Sequence, residues 1–221
     1  MAVQKSAQGG VSMLLDKLKK LLRRDETFAL EGVRSFMRLE NERATIDGRA
    51  ANAAFETCYK EIVEPLLTAH GFIKWSTRGF VRLNSLDVLE WVNFQKERSG
   101  SKTFTVNVHL LPLYVPQELM QTEFRVRLGE LICGRDVWWD FADEKIARIS
   151  FNNVTRAIEK FVFSWLGTWQ DEAAIKARLI REKRYAEWLR AIDDHSDRLE
   201  IMRENIAALH LPKSLLADRR P

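Results

Sequence analysis

The chain has 221 residues, 46% hydrophobic and 30% charged, so it can bury a core without disulfide or metal staples, as one domain with additions or two small ones. Its 35 Lys and Arg against 31 Asp and Glu leave a net charge of +4, less positive charge than dedicated nucleic-acid binders concentrate. The two cysteines, Cys58 and Cys133, form neither a disulfide framework nor a zinc set. They read as buried thiols in a reducing cytosol, and no metal or cofactor is expected.

Residues 1–10 are small and polar. A helix is predicted from Ser12 to Arg24, with Leu14, Leu15, Leu18, Leu21 and Leu22 on one stripe. Lys17, Lys19, Lys20, Arg23 and Arg24 make it basic and a candidate partner-facing or membrane-facing element. The plainer alternative is a docked helix whose cations face water. Asp16 and Lys17 interrupt the apolar run, so it does not read as a signal peptide. A second helical stretch covers Phe28 to Arg43, and Thr45–Gly48 reads as a linker.

Phe55, Cys58, Ile62 and Leu66 then repeat at helical spacing, with Gly71 placed for a left-handed cap and Pro65 placed to kink or restart the helix. From Phe72 the period becomes two. Phe80–Asn84, Val88–Lys96, Thr103–Leu111 and Phe124–Leu131 read as strands, and residues 97–102 as a hairpin connection. Consecutive strands without intervening helices imply an antiparallel sheet. The longest run free of charged residues, Thr103 to Gln117, holds Asn107, His109, Pro112 and Pro116 and is no transmembrane helix. A helix is predicted from about Asn153 to Leu166, stopped by Gly167. Thr168 is placed to cap the next helix, and Asp193 or Asp194 the last, whose stripe is Leu199, Met202, Ile206 and Leu209. The expected class is α+β: an antiparallel sheet of about four strands packed by helices. A helical extension over 1–48 precedes a core at 49–168, and a C-terminal helical hairpin follows at 169–221.

Alternation separates the strand faces. Phe104, Val106, Val108 and Leu110 share one face with Val88, Val92 and Phe94; Glu90 is the exception among them. The opposite face gathers Trp91, Asn93, Gln95, Asn107, His109, Arg125 and Arg127. An aromatic plate, amides and guanidiniums suit an anionic or aromatic ligand. A solvated outer sheet face accounts for the same pattern. There is no phosphate loop, nucleophile elbow or paired-ligand metal motif. Asp136 can meet His109 as a general-base pair, the one catalytic alternative.

Several segments carry a likeness: His70-Gly71-Phe72, Asn93-Phe94-Gln95-Lys96, Val106-Asn107-Val108, Arg127-Leu128-Gly129, and Asp136 with Trp138-Trp139. Over roughly residues 50–165 they resemble the domain-of-unknown-function 4304 family; His109 departs from it, where a glycine is expected. The resemblance implies an α+β fold and a mostly bacterial setting, and carries no catalytic residues. The resulting expectation is a cytoplasmic, non-catalytic bacterial or phage accessory factor whose partner is another protein. Self-association through the C-terminal helices is a further expectation. A nucleic-acid-associated protein using the basic helix and Arg125/Arg127 is the first alternative, and a hydrolase using His109 and Asp136 the second.

Overall fold

The computed structural model describes residues 48–98, 100–116, 124–182, 186–193 and 197–217. The two N-terminal helical stretches, with Lys17, Lys19, Lys20, Arg23 and Arg24, lie outside the described residues. The fold is α+β, with a six-stranded antiparallel sheet packed by helices.

The strands are β1 (Ile73–Ser76), β2 (Gly79–Leu83), β3 (Val88–Lys96), β4 (Thr103–Pro112), β5 (Phe124–Arg127) and β6 (Trp139–Asp140). They pair in the order β1-β2-β3-β4-β5, and β6 joins the start of β4. The β3–β4 register sets Trp91 opposite His109 and Asn93 opposite Asn107. On β5, Arg125 faces His109 and Arg127 faces Asn107. The strand expected over Phe124–Leu131 stops at Arg127. There the Arg127 backbone N–H meets Glu130 Oε2 at 2.9 Å, and the chain turns into a short helix, α2 (Leu128–Cys133), closed by left-handed Gly134 (φ 73°).

Helix α1 comprises an α segment Gly48–Cys58, a π segment Tyr59–Val63 and an α segment Glu64–Ala69. Pro65 has no N–H to give and its ring would crowd the carbonyl four residues back, so a widened turn precedes it instead of a break. Gly71 takes φ 78°, with Phe72 N–H on Leu67 O at 3.0 Å. Helix α3 is longer than its periodicity suggested. It runs through Glu144–Ala157, a π segment Ile158–Val162, and Phe163–Gly167, and Asp143 caps its start by accepting Ile146 N–H at 2.8 Å. Both long helices lie on the apolar sheet face. Phe55 touches Phe104, Phe141 and Phe151 with ring centroids 5.0–5.3 Å apart, and Phe104 stacks on Phe151 at 4.7 Å.

The C-terminal part consists of α4 (Glu172–Glu182), α5 (Ala186–Asp193), α6 (Arg198–Ala208) and a 3-10 turn (Lys213–Leu216). Asp171, not Thr168, caps α4; the Thr168 hydroxyl donates back to Trp165 O. Asp193 ends α5 rather than capping α6, and Asp194 lies outside the described residues. These helices share the core of the sheet. Trp188 stacks on Trp169 at 5.7 Å and donates to Tyr114 Oη at 2.8 Å. Asn205 donates to Leu113 O and Val115 O, both at 2.7 Å. Met202 and Ile206 of the C-terminal stripe are buried within the chain, and Leu199 and Leu209 half-buried. That stripe is therefore largely covered already, which weakens its claim as a self-association face.

Glu90, the sequence exception on the apolar face, is fully buried. Arg82 donates Nε and Nη2 to its Oε2 at 2.8 and 2.5 Å, and Nη1 to His70 O at 2.7 Å. The guanidinium also lies 4.5 Å from the centre of the Phe72 ring. One buried carboxylate thus anchors the arginine that ties β2 to the end of α1. Burial raises the Glu90 pKa, and Arg82 offsets only part of that. Among the described residues, no helix is long and apolar enough to cross a membrane.

Two outcomes follow. The folded chain holds the Glu90 proton more tightly than the unfolded one, so protonation favours folding. This contribution is fully present below the ordinary carboxylate value of 4.5 and is lost as pH rises through the raised native value. Urea unfolding of the wild type and Glu90→Gln across pH 4–8 should therefore show the difference moving in favour of the variant as pH rises; a constant difference contradicts this. Trp188→Ala should cost about 3–5 kcal/mol in the same assay, as for other buried large-to-small changes. A loss below about 1 kcal/mol would mean that α5 is not part of the core.

Candidate functional site

Strand β4 is buried along almost its whole length, and on both faces. On its apolar face this needs only helices. On its other face the buried side chains are Thr103, Thr105, Asn107 and His109, and buried polar groups demand partners.

That face is graded. Its rows nearest the β2–β3 turn are apolar, with Leu83 paired to Leu89 and Leu89 to Leu111. Near this end the chain's tail attaches. Arg198 donates to Leu86 O at 3.0 Å and pairs with Asp87, and the Trp75 indole donates to His210 O at 3.1 Å. In the next row Val81, Trp91 and His109 align; the His109 ring stacks on Trp91 at 4.2 Å, and Trp75 meets Trp91 edge-on at 5.0 Å. At Gly79, in the row beyond, a side chain would fall 2.6 Å from Ser76 Oγ and 3.0 Å from Trp91 Nε1, so the Ser76 hydroxyl would have to turn away to admit one.

The polar ladder begins in that row. Asn107 donates Nδ2 to Gln95 Oε1 at 3.0 Å and accepts Arg127 Nε on its own oxygen at 3.3 Å. Asn93 lies directly opposite Asn107, so the three amides share one face. Arg127 passes the chain outward to the Asp136 carboxylate. Trp138 donates its indole N–H to the same Asp136 oxygen at 3.0 Å, and the Arg127 guanidinium lies 5.5 Å from the Trp138 ring centre. Asn107 is 2% exposed at the inner end, whereas Asp136 at the outer end has a side chain 36% exposed. Arg125 stands exposed two residues from Arg127 on the same side of β5.

The structure thus places Trp91 and His109 in one stack. It places Gln95, Asn107, Arg127 and Asp136 in one hydrogen-bonded chain, with Asn93 and Arg125 beside it. Asp136 is spent on Arg127 and Trp138, and the alternation reading gave no sign of Trp138 or Trp75 here. Trp138 adjoins Trp139, which is buried against Phe104 at 6.2 Å, and the inside-out alternation of the pair was the available signal. Both cysteines are free, and no cluster of potential metal ligands occurs among the described residues.

Because Asn107 uses both ends of its amide while buried, Asn107→Ala should cost about 1–3 kcal/mol in urea unfolding. An unchanged midpoint would show the ladder to be incidental.

No curated protein and no solved structure matches the chain. A family model does match, and the matched stretch holds all six strands, α2 and α3, and with them every residue of the ladder. Residues 63–168, the central region of the chain, fit the family model described as Domain of unknown function (DUF4304).

Proposed function

We propose that this is a non-catalytic binding protein that engages another protein through the corner formed by Arg125, Arg127, Asp136 and Trp138. The observation that carries the reading is the ladder itself. Its inner end is buried and its outer end is presented at the surface, so a charged, aromatic corner is held in place from behind. Prepaid ordering of this kind lowers the entropic cost of binding. Aromatic and arginine side chains are the residues that interfaces enrich.

A nucleic-acid partner is the second reading, supported by Arg125 and Arg127 beside an indole. The net charge of +4 is modest for a nucleic-acid binder, which weighs against it. A hydrolase using His109 and Asp136 has less support. The Asp136 oxygen serves Arg127 and Trp138, and the His109 ring is 4% exposed against Trp91, which shuts a substrate away from it. A reducing cytoplasm suits the free thiols of Cys58 and Cys133. The bacterial or phage setting rests on the family resemblance.

The test is affinity purification of the tagged full-length chain and of an Arg125→Ala/Trp138→Ala variant. The reading expects a protein retained at near-equal amount by the wild type and lost from the variant. Retained nucleic acid with steep salt dependence would favour the second reading. Equal capture by both chains would remove this corner from the account.

A further inference from the structure

The Arg127 guanidinium and the Trp138 indole N–H converge on one oxygen of one carboxylate, that of Asp136. The carboxylate is the more exposed member of the ion pair. Arg127 sits where β5 passes into α2, with its Nε held by buried Asn107. Asp136 comes from the loop between α2 and β6, just after Gly134 in its left-handed turn, with its side chain 36% exposed. An ion pair at that exposure is worth about 0.2–1 kcal/mol. Two further arginines lie close by in sequence: Arg125 and Arg135 are exposed, and neither has an acidic partner among the described residues. Arg125, Arg127 and Arg135 against Asp136 and Glu130, whose Oε2 accepts the Arg127 backbone N–H, leave this corner one cation in excess.

We infer that Asp136 is an internal stand-in for a carboxylate of the partner. Resting on the binding reading above, the inference adds the ligand class. An acidic segment of a protein places a Glu or Asp side chain, or a terminal carboxylate, on Arg127 and Trp138. The Asp136 side chain rotates out while its backbone stays packed on Gly129, and Arg125 and Arg135 meet neighbouring acidic groups. Arginine suits this exchange because its planar fork holds either carboxylate in the same geometry. The arrangement makes Asp136 a competitor of the ligand, so its removal strengthens binding, while removal of either donor weakens it.

The experiment follows the Trp138 indole N–H by NMR, identified by its loss in Trp138→Phe, as the full-length protein is titrated with triglutamate. Triglutamine at matched ionic strength is the control. The wild type shows a saturable shift with triglutamate alone. Asp136→Ala saturates at about 1.4- to fivefold lower peptide, the factor that corresponds to an exposed ion pair. Arg127→Gln shows no saturable shift. The proposal is overturned if Asp136→Ala binds more weakly than the wild type, if triglutamine shifts the resonance equally, or if no chain responds. It is also overturned if a single-stranded oligonucleotide saturates the resonance well before triglutamate, which marks a nucleic-acid surface. Should the inference fail while the Arg125→Ala/Trp138→Ala variant still loses a captured protein, the binding reading stands and only the acidic ligand falls.

Discussion

Burial of β4 on both faces is the constraint on which the rest of this structure depends. A strand in that position can fill one face with Phe104, Val106, Val108 and Leu110 and set helices on it. The other face here carries Thr, Asn and His; Asn107 is hydrogen-bonded and His109 stacked, while Thr105 Oγ1 has no partner among the described residues. The β3–β4 and β4–β5 registers supply those neighbours: Trp91 beneath His109, Gln95 diagonal to Asn107, and Arg127 beside Asn107. Satisfying a buried amide thus fixes an arginine at the sheet's margin, which is how an internal requirement becomes a surface feature.

The two ends of the same face have different fates. Where Leu83, Leu89 and Leu111 line up, the C-terminal helices attach through Arg198, Asn205 and the His210 carbonyl. Where the amides line up, the face opens toward the Arg127–Asp136–Trp138 corner. On the sheet's opposite side, Glu90 and Arg82 bind β2 to the end of α1 at His70-Gly71-Phe72. Several short motifs that carried the family resemblance have physical roles. Gly71 supplies a left-handed cap, Phe72 lies under a guanidinium, and Asn107, Arg127 and Asp136 form consecutive links of the ladder.

Much of this was legible in the sequence because period-two alternation is strong where one strand face is apolar. Val88–Lys96 emerged with the same bounds, and Thr103–Leu111 with one residue fewer. The grouping of Asn93, Gln95 and Asn107 followed from the same alternation. β1 and β6 escaped because runs of four and two residues are too short to show a period. Phe124–Leu131 misled because its alternation runs past Arg127, and the helix there is started by one local bond, Glu130 to the Arg127 N–H. Asp136 was matched with His109 for want of any sign of its distance from Arg127. That contact depends on a loop whose path alternation does not encode. The C-terminal stripe read as available surface because nothing in its spacing announces Trp188 against Trp169.

The central claim is that the buried amide and the exposed corner form one coupled unit through Arg127. A double-mutant cycle in urea unfolding with Asn107→Ala and Asp136→Ala tests it most directly. The account predicts a coupling of at least about 0.5 kcal/mol, as residues within one hydrogen-bond network show. Additivity within about 0.3 kcal/mol would contradict it, leaving a buried amide and a surface ion pair that merely lie side by side.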